Sequence, residues 1–210
     1  MPYIMSVTSP ANQDEIIQQE ILKAALRLYQ KNGPKGVTMD DLANATGRSR
    51  SSLYYYYKNR DEIFQAVMEK IAGEMAAEIR QAVVAAKTLA DKVYAFCFTK
   101  LKTSEDWKKV LNAMWTSMDA EDQSRHYRVM VGLHNRLIYH ESVILNEIMA
   151  DAATRKEMRV IASGDQDMLV FLISSGIRGL RREIFEHNDP HDLKAALQLL
   201  TDMVVKWLRK

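Results

Sequence analysis

From Asp14 onward, apolar side chains recur every three or four residues, and we find no segment that alternates with a period of two between hairpin turns. This spacing is typical of α-helices that each bury one face. The 8 glycines and 4 prolines among 210 residues are about half the usual share of these helix-breaking residues, which favours long helices. The sequence therefore predicts an all-α fold of about nine helices.

Short helices are predicted where the strongest local start and stop signals lie. Thr38 is a candidate N-cap for a helix that Gly47 ends, and Ser49 caps a second short helix that reaches about Tyr56. Two short helices joined by a tight glycine-containing turn are typical of a helix-turn-helix, whose second helix enters the major groove of DNA.

The charge distribution indicates the same partner. Residues 1–60 hold eight Lys or Arg and five Asp or Glu, a net +3, whereas the whole chain carries only +2. Residues 47–60 contain four basic side chains and no acidic one. A locally basic segment of this kind suits the phosphate backbone of double-stranded DNA.

Four segments together resemble the TetR-type transcriptional regulators: Ile21–Tyr29, Gly33, Thr38–Gly47 and Ser49–Arg60. The resemblance covers about the first 70 residues, with Tyr57 in place of a usual Phe, Arg60 in place of a usual Lys, and Arg48 at a usually apolar turn position. It implies a helix-turn-helix domain in residues 1–60 and a helical ligand-binding and dimerisation domain in residues 61–210. The implied function is that of a homodimeric repressor, released from a palindromic operator by a small, mainly apolar ligand.

The resemblance also assigns roles to individual side chains of the predicted helix-turn-helix. It places four residues on the exposed recognition face: Arg50, Ser51, Tyr54 and Tyr55. Arg50 and Ser51, near the start of the helix, are best placed for base edges. It assigns phosphate contacts to Thr38, Ser49, Tyr55, Tyr56, Lys58 and Arg60. Arg48 adds a further candidate contact to a phosphate or a base.

The last two predicted helices suit a dimer interface, which the family uses to present two recognition helices about one DNA turn apart. An apolar stripe on the final helix and small residues on the preceding one give the candidate interface residues Ser175, Gly179, Leu197, Leu200, Val204 and Trp207. Periodicity does not say whose helix lies opposite, so the stripe could equally fill the chain's own core.

The middle helices are rich in aromatic residues and methionine, which line adaptable apolar pockets. The candidate ligand-binding residues are Phe96, Trp107, Trp115, Met118, His134 and Glu141. His134 and Glu141 are polar residues on an apolar stripe, so each must find a partner, either in a neighbouring helix or in a ligand. Because the same residue types fill any helical core, the alternative is a DNA-binding protein whose C-terminal domain binds a protein partner or no ligand.

Other classes of function find little support in the sequence. Cys97 is the single cysteine and lacks an activating motif, and Pro190 separates the candidate zinc ligands His187 and His191. We therefore expect no enzyme, metal or cofactor, and we expect a cytoplasmic protein without a membrane span. The structure of the stretch from Asp151 to Gly164, loop or helix extension, is left open by its sparse apolar residues.

Overall fold

The computed structural model describes residues 10–187 and 190–209, which form helices and connecting segments without any β-strand. The eight helices in these ranges are α1 Pro10–Asn32, α2 Met39–Thr46, α3 Arg50–Tyr56, α4 Arg60–Ala85, α5 Leu89–Thr116, α6 Ala120–Thr154, α7 Ser163–Glu186 and α8 Leu193–Arg209. The all-α fold is thus confirmed. Lys210, predicted as the last residue of the final helix, lies outside the described residues.

The prediction of about nine helices was wrong by one, because α5 is continuous where two helices were expected. The residues between the two predicted segments, 102–105, include neither glycine nor proline. Their hydroxyls bond within the helix: Thr103 Oγ1 donates to the Thr99 carbonyl at 3.0 Å, and Ser104 Oγ donates to the Lys100 carbonyl at 2.7 Å. Polar residues here interrupt the apolar pattern without interrupting the helix.

The stretch from Asp151 to Gly164, left open by the sequence, is divided between helix and loop. Helix α6 continues to Thr154, and residues 155–162 then form a non-helical connection in which Lys156 has φ 58°. Arg159 fixes this connection to the end of α8, because its backbone N–H donates to the Leu208 carbonyl at 2.9 Å and its guanidinium lies 4.6 Å from the centre of the Trp207 indole.

The first of two compact units contains the described residues up to Lys70 together with Val110–Met130. Its core includes Tyr29 and Phe64, whose ring centres are 5.8 Å apart. Gly33 ends α1 with φ 70°, and a Cβ at this position would overlap the side chain of Ser117. The turn after α1 therefore approaches the turn after α5 more closely than any residue with a side chain would allow.

The second compact unit contains Ile71–Lys109 and the described residues from Val131 onward. One hydrophobic core joins its helices, with contributions from Ile79, Val93, Phe96, Cys97, Ile144, Leu145, Ile148, Ile173, Ile177, Leu197, Val204 and Leu208. The predicted division into a DNA-binding domain (residues 1–60) and a ligand-binding domain (residues 61–210) is a functional one and stays a prediction.

Candidate nucleic-acid interface

Helices α2 and α3 are fixed by local signals that their sequence already carries. Thr38 forms a capping box with Asp41: the Asp41 N–H donates to Thr38 Oγ1 at 3.1 Å, and the Thr38 N–H donates to Asp41 Oδ2 at 2.8 Å. Gly47 ends α2 in the left-handed conformation with φ 63°, and Ser49 Oγ then accepts from the Ser52 N–H at 3.1 Å. The predicted helix-turn-helix is therefore present.

Helix α3 buries one side and exposes the other. Leu53 is fully buried and anchors the helix, whereas 76% of Tyr55 and 42% of Tyr54 are exposed. We call the exposed side the α3 outer face, defined by the residues Arg50, Ser51, Tyr54 and Tyr55. All four residues predicted to lie on the recognition face are exposed together here.

The Arg50 guanidinium is held by two neighbours on the surface. Its Nη1 lies 3.3 Å from Asp40 Oδ2, and its Nη2 donates to the Tyr54 hydroxyl at 3.3 Å. The hydrogen bond with Tyr54 and the negative charge of Asp40 raise the pKa of Arg50 above its ordinary value. A guanidinium held this way still has free N–H groups, because it carries five.

Two of the predicted DNA contacts are instead engaged inside the first unit. Arg48 Nη2 donates to Glu20 Oε2 of α1 at 2.7 Å, and only 25% of the Arg48 side chain is exposed. The Tyr56 hydroxyl donates to Asp14 Oδ1 at 2.8 Å, which raises the pKa of Tyr56. Both side chains bind α1 because acidic residues far away in sequence meet them there, and their contacts with a phosphate stay a prediction.

The remaining predicted phosphate contacts lie at helix starts. Thr38 and Ser49 are exposed but use their hydroxyls as caps, and Lys58 is exposed. Arg60 Nη1 donates to the Lys35 carbonyl at 3.2 Å, and its Nε lies 3.9 Å from Asp61 Oδ1. Two of these four residues are cationic. The Arg60 guanidinium has the contacts just given, whereas Lys58 is exposed and its hydrogen bond to Glu62 uses the backbone N–H.

Sequence reasoning missed the acidic partners of the basic residues. Residues 47–60 contain no acid, yet Glu20 meets Arg48 and Asp40 meets Arg50 across 28 and 10 residues of chain. The Arg50 pair could have been suspected, since the first turn of α2 and the start of α3 lie close together in any helix-turn-helix. Nothing in the sequence pointed to the Arg48 pair.

The six candidate ligand residues do not share one environment. Phe96 and Glu141 are buried in the second unit, where Trp107 is half-buried and His134 is exposed. Trp115 and Met118 belong to the first unit, and of these only Met118 is buried.

Glu141 has a partner that the sequence did not reveal. Lys100 Nζ of α5 lies 2.5 Å from Glu141 Oε2 and also donates to the Ser174 carbonyl at 3.3 Å. Arg178 Nη1 lies 4.0 Å from the same carboxylate oxygen. Burial lowers the pKa of Lys100, and Glu141 opposes that shift. Burial also raises the pKa of the nearby Cys97 thiol to about 12, which makes it unreactive at neutral pH.

The residues predicted for a dimer interface divide between core and surface. Leu197 and Val204 are buried in the chain's own core, whereas Leu200, Trp207, Ser175 and Gly179 are half-buried. The large apolar residues that α7 and α8 leave exposed include others: Met168, Leu172, Leu199 and Met203. Several of them line a groove of about 560 Å³ between the start of α7 and the end of α8.

The described residues contain neither a candidate metal site nor a candidate membrane span. Within residues 10–187 and 190–209, no three His, Cys, Asp or Glu side chains are grouped so that they could hold a metal ion. In the same ranges, no helix combines the length and the apolar character that crossing a membrane requires.

Comparison with known proteins identifies the N-terminal segment. Residues 21–67 match the model of the family described as bacterial regulatory proteins, tetR family. The HTH-type transcriptional repressor AcnR of Corynebacterium efficiens is 31% identical over 64 residues, which are 30% of this chain and 34% of that protein. The HTH-type transcriptional regulator YvaF of Bacillus subtilis is 39% identical over 59 residues, 28% of this chain and 30% of that protein. The chain thus spans about a third of the length of these curated relatives.

The solved structures resemble nearly the whole chain. A regulator of the TetR/AcrR family from Thermobifida fusca has a TM-score of 0.54 at 17% identity and covers 92% of this chain and 98% of its own. A transcriptional regulator from Cytophaga hutchinsonii has a TM-score of 0.60 at 17% identity, with 91% and 98% covered. At these identities the likeness concerns the fold, while the family match rests on the helix-turn-helix. Residues 21–67 of this chain, which contain the helix-turn-helix, are thus similar to the bacterial regulatory proteins of the tetR family.

Proposed function

We propose that this chain is a sequence-specific DNA-binding repressor that acts as a homodimer on a palindromic operator. The observation that carries the proposal is the α3 outer face, on which an arginine, a serine and two tyrosines lie exposed on a helix anchored by the buried Leu53. These aromatic and arginine side chains lie outside the buried core of the unit. They are the groups that contact bases and phosphates in a major groove.

Repression, as opposed to activation, is supported by the relatives. AcnR of Corynebacterium efficiens is named a repressor, and IcaR of Staphylococcus epidermidis is named a negative regulator. The matched residues are only 34% and 29% of these two proteins, so the sign of regulation in this chain is part of the proposal.

The homodimer is supported by the exposed apolar residues of α7 and α8. Met168 and Leu172 on α7 and Met203 on α8 are each more than half exposed, and together they line one groove. A contiguous apolar surface of this kind is unfavourable in water and is typical of a site that binds another molecule. A second copy of the chain is the occupant we propose, because a single recognition helix reads only a few base pairs and a palindrome requires two.

Release by a small, mainly apolar ligand is the finer part of the proposal. It is supported by the aromatic residues of α5, where Tyr94 and Phe98 stack with ring centres 6.0 Å apart at the edge of the core. The second candidate function, in which the larger domain binds a protein partner or no ligand, is favoured by a different observation. Phe96 is fully buried among its own neighbours and Glu141 is already paired with Lys100, so two of the six candidate residues need no ligand.

The DNA part of the proposal is tested by selecting genomic fragments with purified protein and titrating the recovered DNA at two salt concentrations. We expect a palindrome with half-sites about one helical turn apart, bound with a steep salt dependence. Arg50→Ala should lose the preference for that sequence by about 1–3 kcal/mol, whereas Lys58→Ala should weaken binding to all DNA and reduce the salt slope by about one. Equal losses on operator and random DNA for both variants would contradict these roles.

The dimer is tested by measuring the molecular mass in solution. Met203→Glu should convert the dimer to a monomer, because it places a charge in the proposed interface. Val84→Glu is the matched control, since Val84 is an exposed apolar residue of α4, 75% accessible, outside α7 and α8. A wild-type monomer, or a dimer that survives Met203→Glu, would remove the support for this interface.

The ligand is tested by screening small apolar compounds for release of the recovered operator. A compound that releases DNA from the wild-type protein would support the repressor controlled by an inducer. Release by no compound, together with recovery of a specific protein partner from cells, would favour the second candidate.

A further inference from the structure

Among the charged side chains around the α3 outer face, Asp40 has two surroundings: it lies in the first turn of α2, where an acidic group is favourable, and it also faces Arg50 of α3. Its neighbour Asp41 completes the capping box with Thr38, and Asp40 takes no part in those hydrogen bonds. Asp40 is 64% exposed at the side chain, and its Oδ2 lies 3.3 Å from Arg50 Nη1. An acidic group beside a surface meant for phosphates repels DNA, so its presence there has a cost.

We propose that Asp40 is a positioning residue that makes Arg50 a reader of bases rather than a binder of phosphates. This inference rests on the proposed function and deepens it, because it names what decides the specificity of the α3 outer face. Asp40 lies in α2 and Arg50 in α3, so the contact ties the readout group to the other helix of the motif.

The geometry around Arg50 supports this role. Its Nη1 faces Asp40, its Nη2 donates to the Tyr54 hydroxyl, and its Cζ lies 5.6 Å from the centre of the Tyr54 ring. Two contacts on two different nitrogens restrict the rotation of an otherwise flexible side chain. Of the five N–H groups of a guanidinium, three remain, and recognition of guanine O6 and N7 needs two.

The electrostatic consequence distinguishes bases from phosphates. A carboxylate next to Arg50 cancels much of its charge at a distance, which weakens the attraction to any phosphate backbone. Hydrogen bonds to a base edge depend on the direction of the N–H groups more than on net charge, so they are retained. Asp40 therefore lowers binding to random DNA while preserving binding to the correct sequence, which raises the ratio between the two.

A matched control exists in the same module. Glu20 is also an exposed acid paired with an arginine, Arg48, but that arginine is bound to α1 and lies outside the α3 outer face. Asp40→Asn and Glu20→Gln each remove one negative charge and keep the shape of the side chain. General electrostatics therefore change alike in the two variants, and only the first releases Arg50.

The test measures dissociation constants for the selected operator and for random DNA at two salt concentrations. We expect Asp40→Asn to lower the ratio of operator to random affinity about tenfold and to steepen the salt slope on random DNA by about one phosphate contact. Glu20→Gln should strengthen binding to both DNAs by the same factor and leave the ratio unchanged. In the Arg50→Ala background, Asp40→Asn should no longer change the ratio.

Each result bears on one claim. The wild-type protein could select an operator while Asp40→Asn and Glu20→Gln both keep the wild-type ratio of operator to random affinity. That result would overturn the role of Asp40 and leave the proposed function standing. If the ratio falls equally with and without Arg50, Asp40 does not act through Arg50 and the inference is also overturned. If the wild-type protein selects no sequence at all, the proposed function fails and the inference fails with it. A role of Asp40 in stabilising α2 alone would change the melting temperature without changing the ratio.

Discussion

Arg50 in α3 and Lys100 in α5 each face one carboxylate, but the two pairs differ in their exposure to water. The Arg50 side chain is 57% exposed and the Lys100 side chain is 4% exposed. Water screens the first pair, so it contributes little to stability and its cation is still available to a partner. The second pair is dehydrated, so each charge depends on the other. The same kind of pair thus leaves a cation exposed in one unit and closes a buried contact in the other.

The largest expected loss of stability comes from a substitution that breaks the buried ion pair of Lys100 and Glu141. Glu141→Leu should lower the free energy of unfolding by about 3–5 kcal/mol, because it leaves Lys100 buried without a counter-charge and with Arg178 nearby. Lys100→Met should cost less, since Arg178 Nη1 already lies 4.0 Å from Glu141 and can compensate it. Chemical denaturation measures both values.

The double variant Lys100→Met with Glu141→Leu is the control for this prediction. It removes both charges, so it should recover most of the loss caused by Glu141→Leu alone. If the two single substitutions and the double one cost the same, the pair does not act as a unit, and the contrast with Arg50 disappears.

A smaller loss of stability is expected when either of two glycines of the first unit is replaced by alanine. One substitution strains only the local backbone, whereas the other also produces a clash with a residue far away in sequence. Gly33 and Gly47 have nearly the same φ, 70° and 63°. Gly47→Ala should cost about 1–2 kcal/mol for the left-handed backbone alone, because no atom lies near its missing Cβ. Gly33→Ala should cost more, since its Cβ would overlap Ser117. Equal losses in denaturation would show that the turn after α5 moves away without penalty.

The smallest effect concerns a capping device that the two units share. Thr88 and Asp91 at the start of α5 form the same box as Thr38 and Asp41, with the Asp91 N–H 3.1 Å from Thr88 Oγ1. Thr38→Ala and Thr88→Ala should each lower stability by about 1 kcal/mol, since each removes one N-cap. Only Thr38→Ala should also weaken DNA binding. A loss of DNA binding in the Thr88 variant would mean that reduced stability alone explains the effect.

The helix-turn-helix and helix α5 differ in how well their structure could be predicted from the sequence. Helices α2 and α3 were predicted because caps and a left-handed glycine act over three or four residues, and Thr38, Gly47 and Ser49 supply them. The continuity of α5 was missed because a fall in apolar content was interpreted as a break. The hydroxyls of Thr103 and Ser104 bond to their own helix, so no break was needed.

The candidate site shows the same limit. The exposed position of Tyr54 and Tyr55 was implied by the family resemblance and agrees with helical spacing, whereas the contact of Arg48 with Glu20 depends on a residue 28 positions away. On α8, apolar residues occur on two sides, and periodicity alone could not say that Leu197 lies in the core while Met203 is exposed.

The sequence by itself determined the all-helical fold, the capped helix-turn-helix and the likeness of residues 21–67 to the tetR family. Each depends on interactions within a few turns of chain, whose signals lie side by side in the sequence. Only the tertiary structure decided which charges are paired and which apolar faces are covered. Lys100 with Glu141, and Asp40 with Arg50, meet because helices pack side by side, and the partner of a side chain across a helix interface is set by the position of the neighbouring helix.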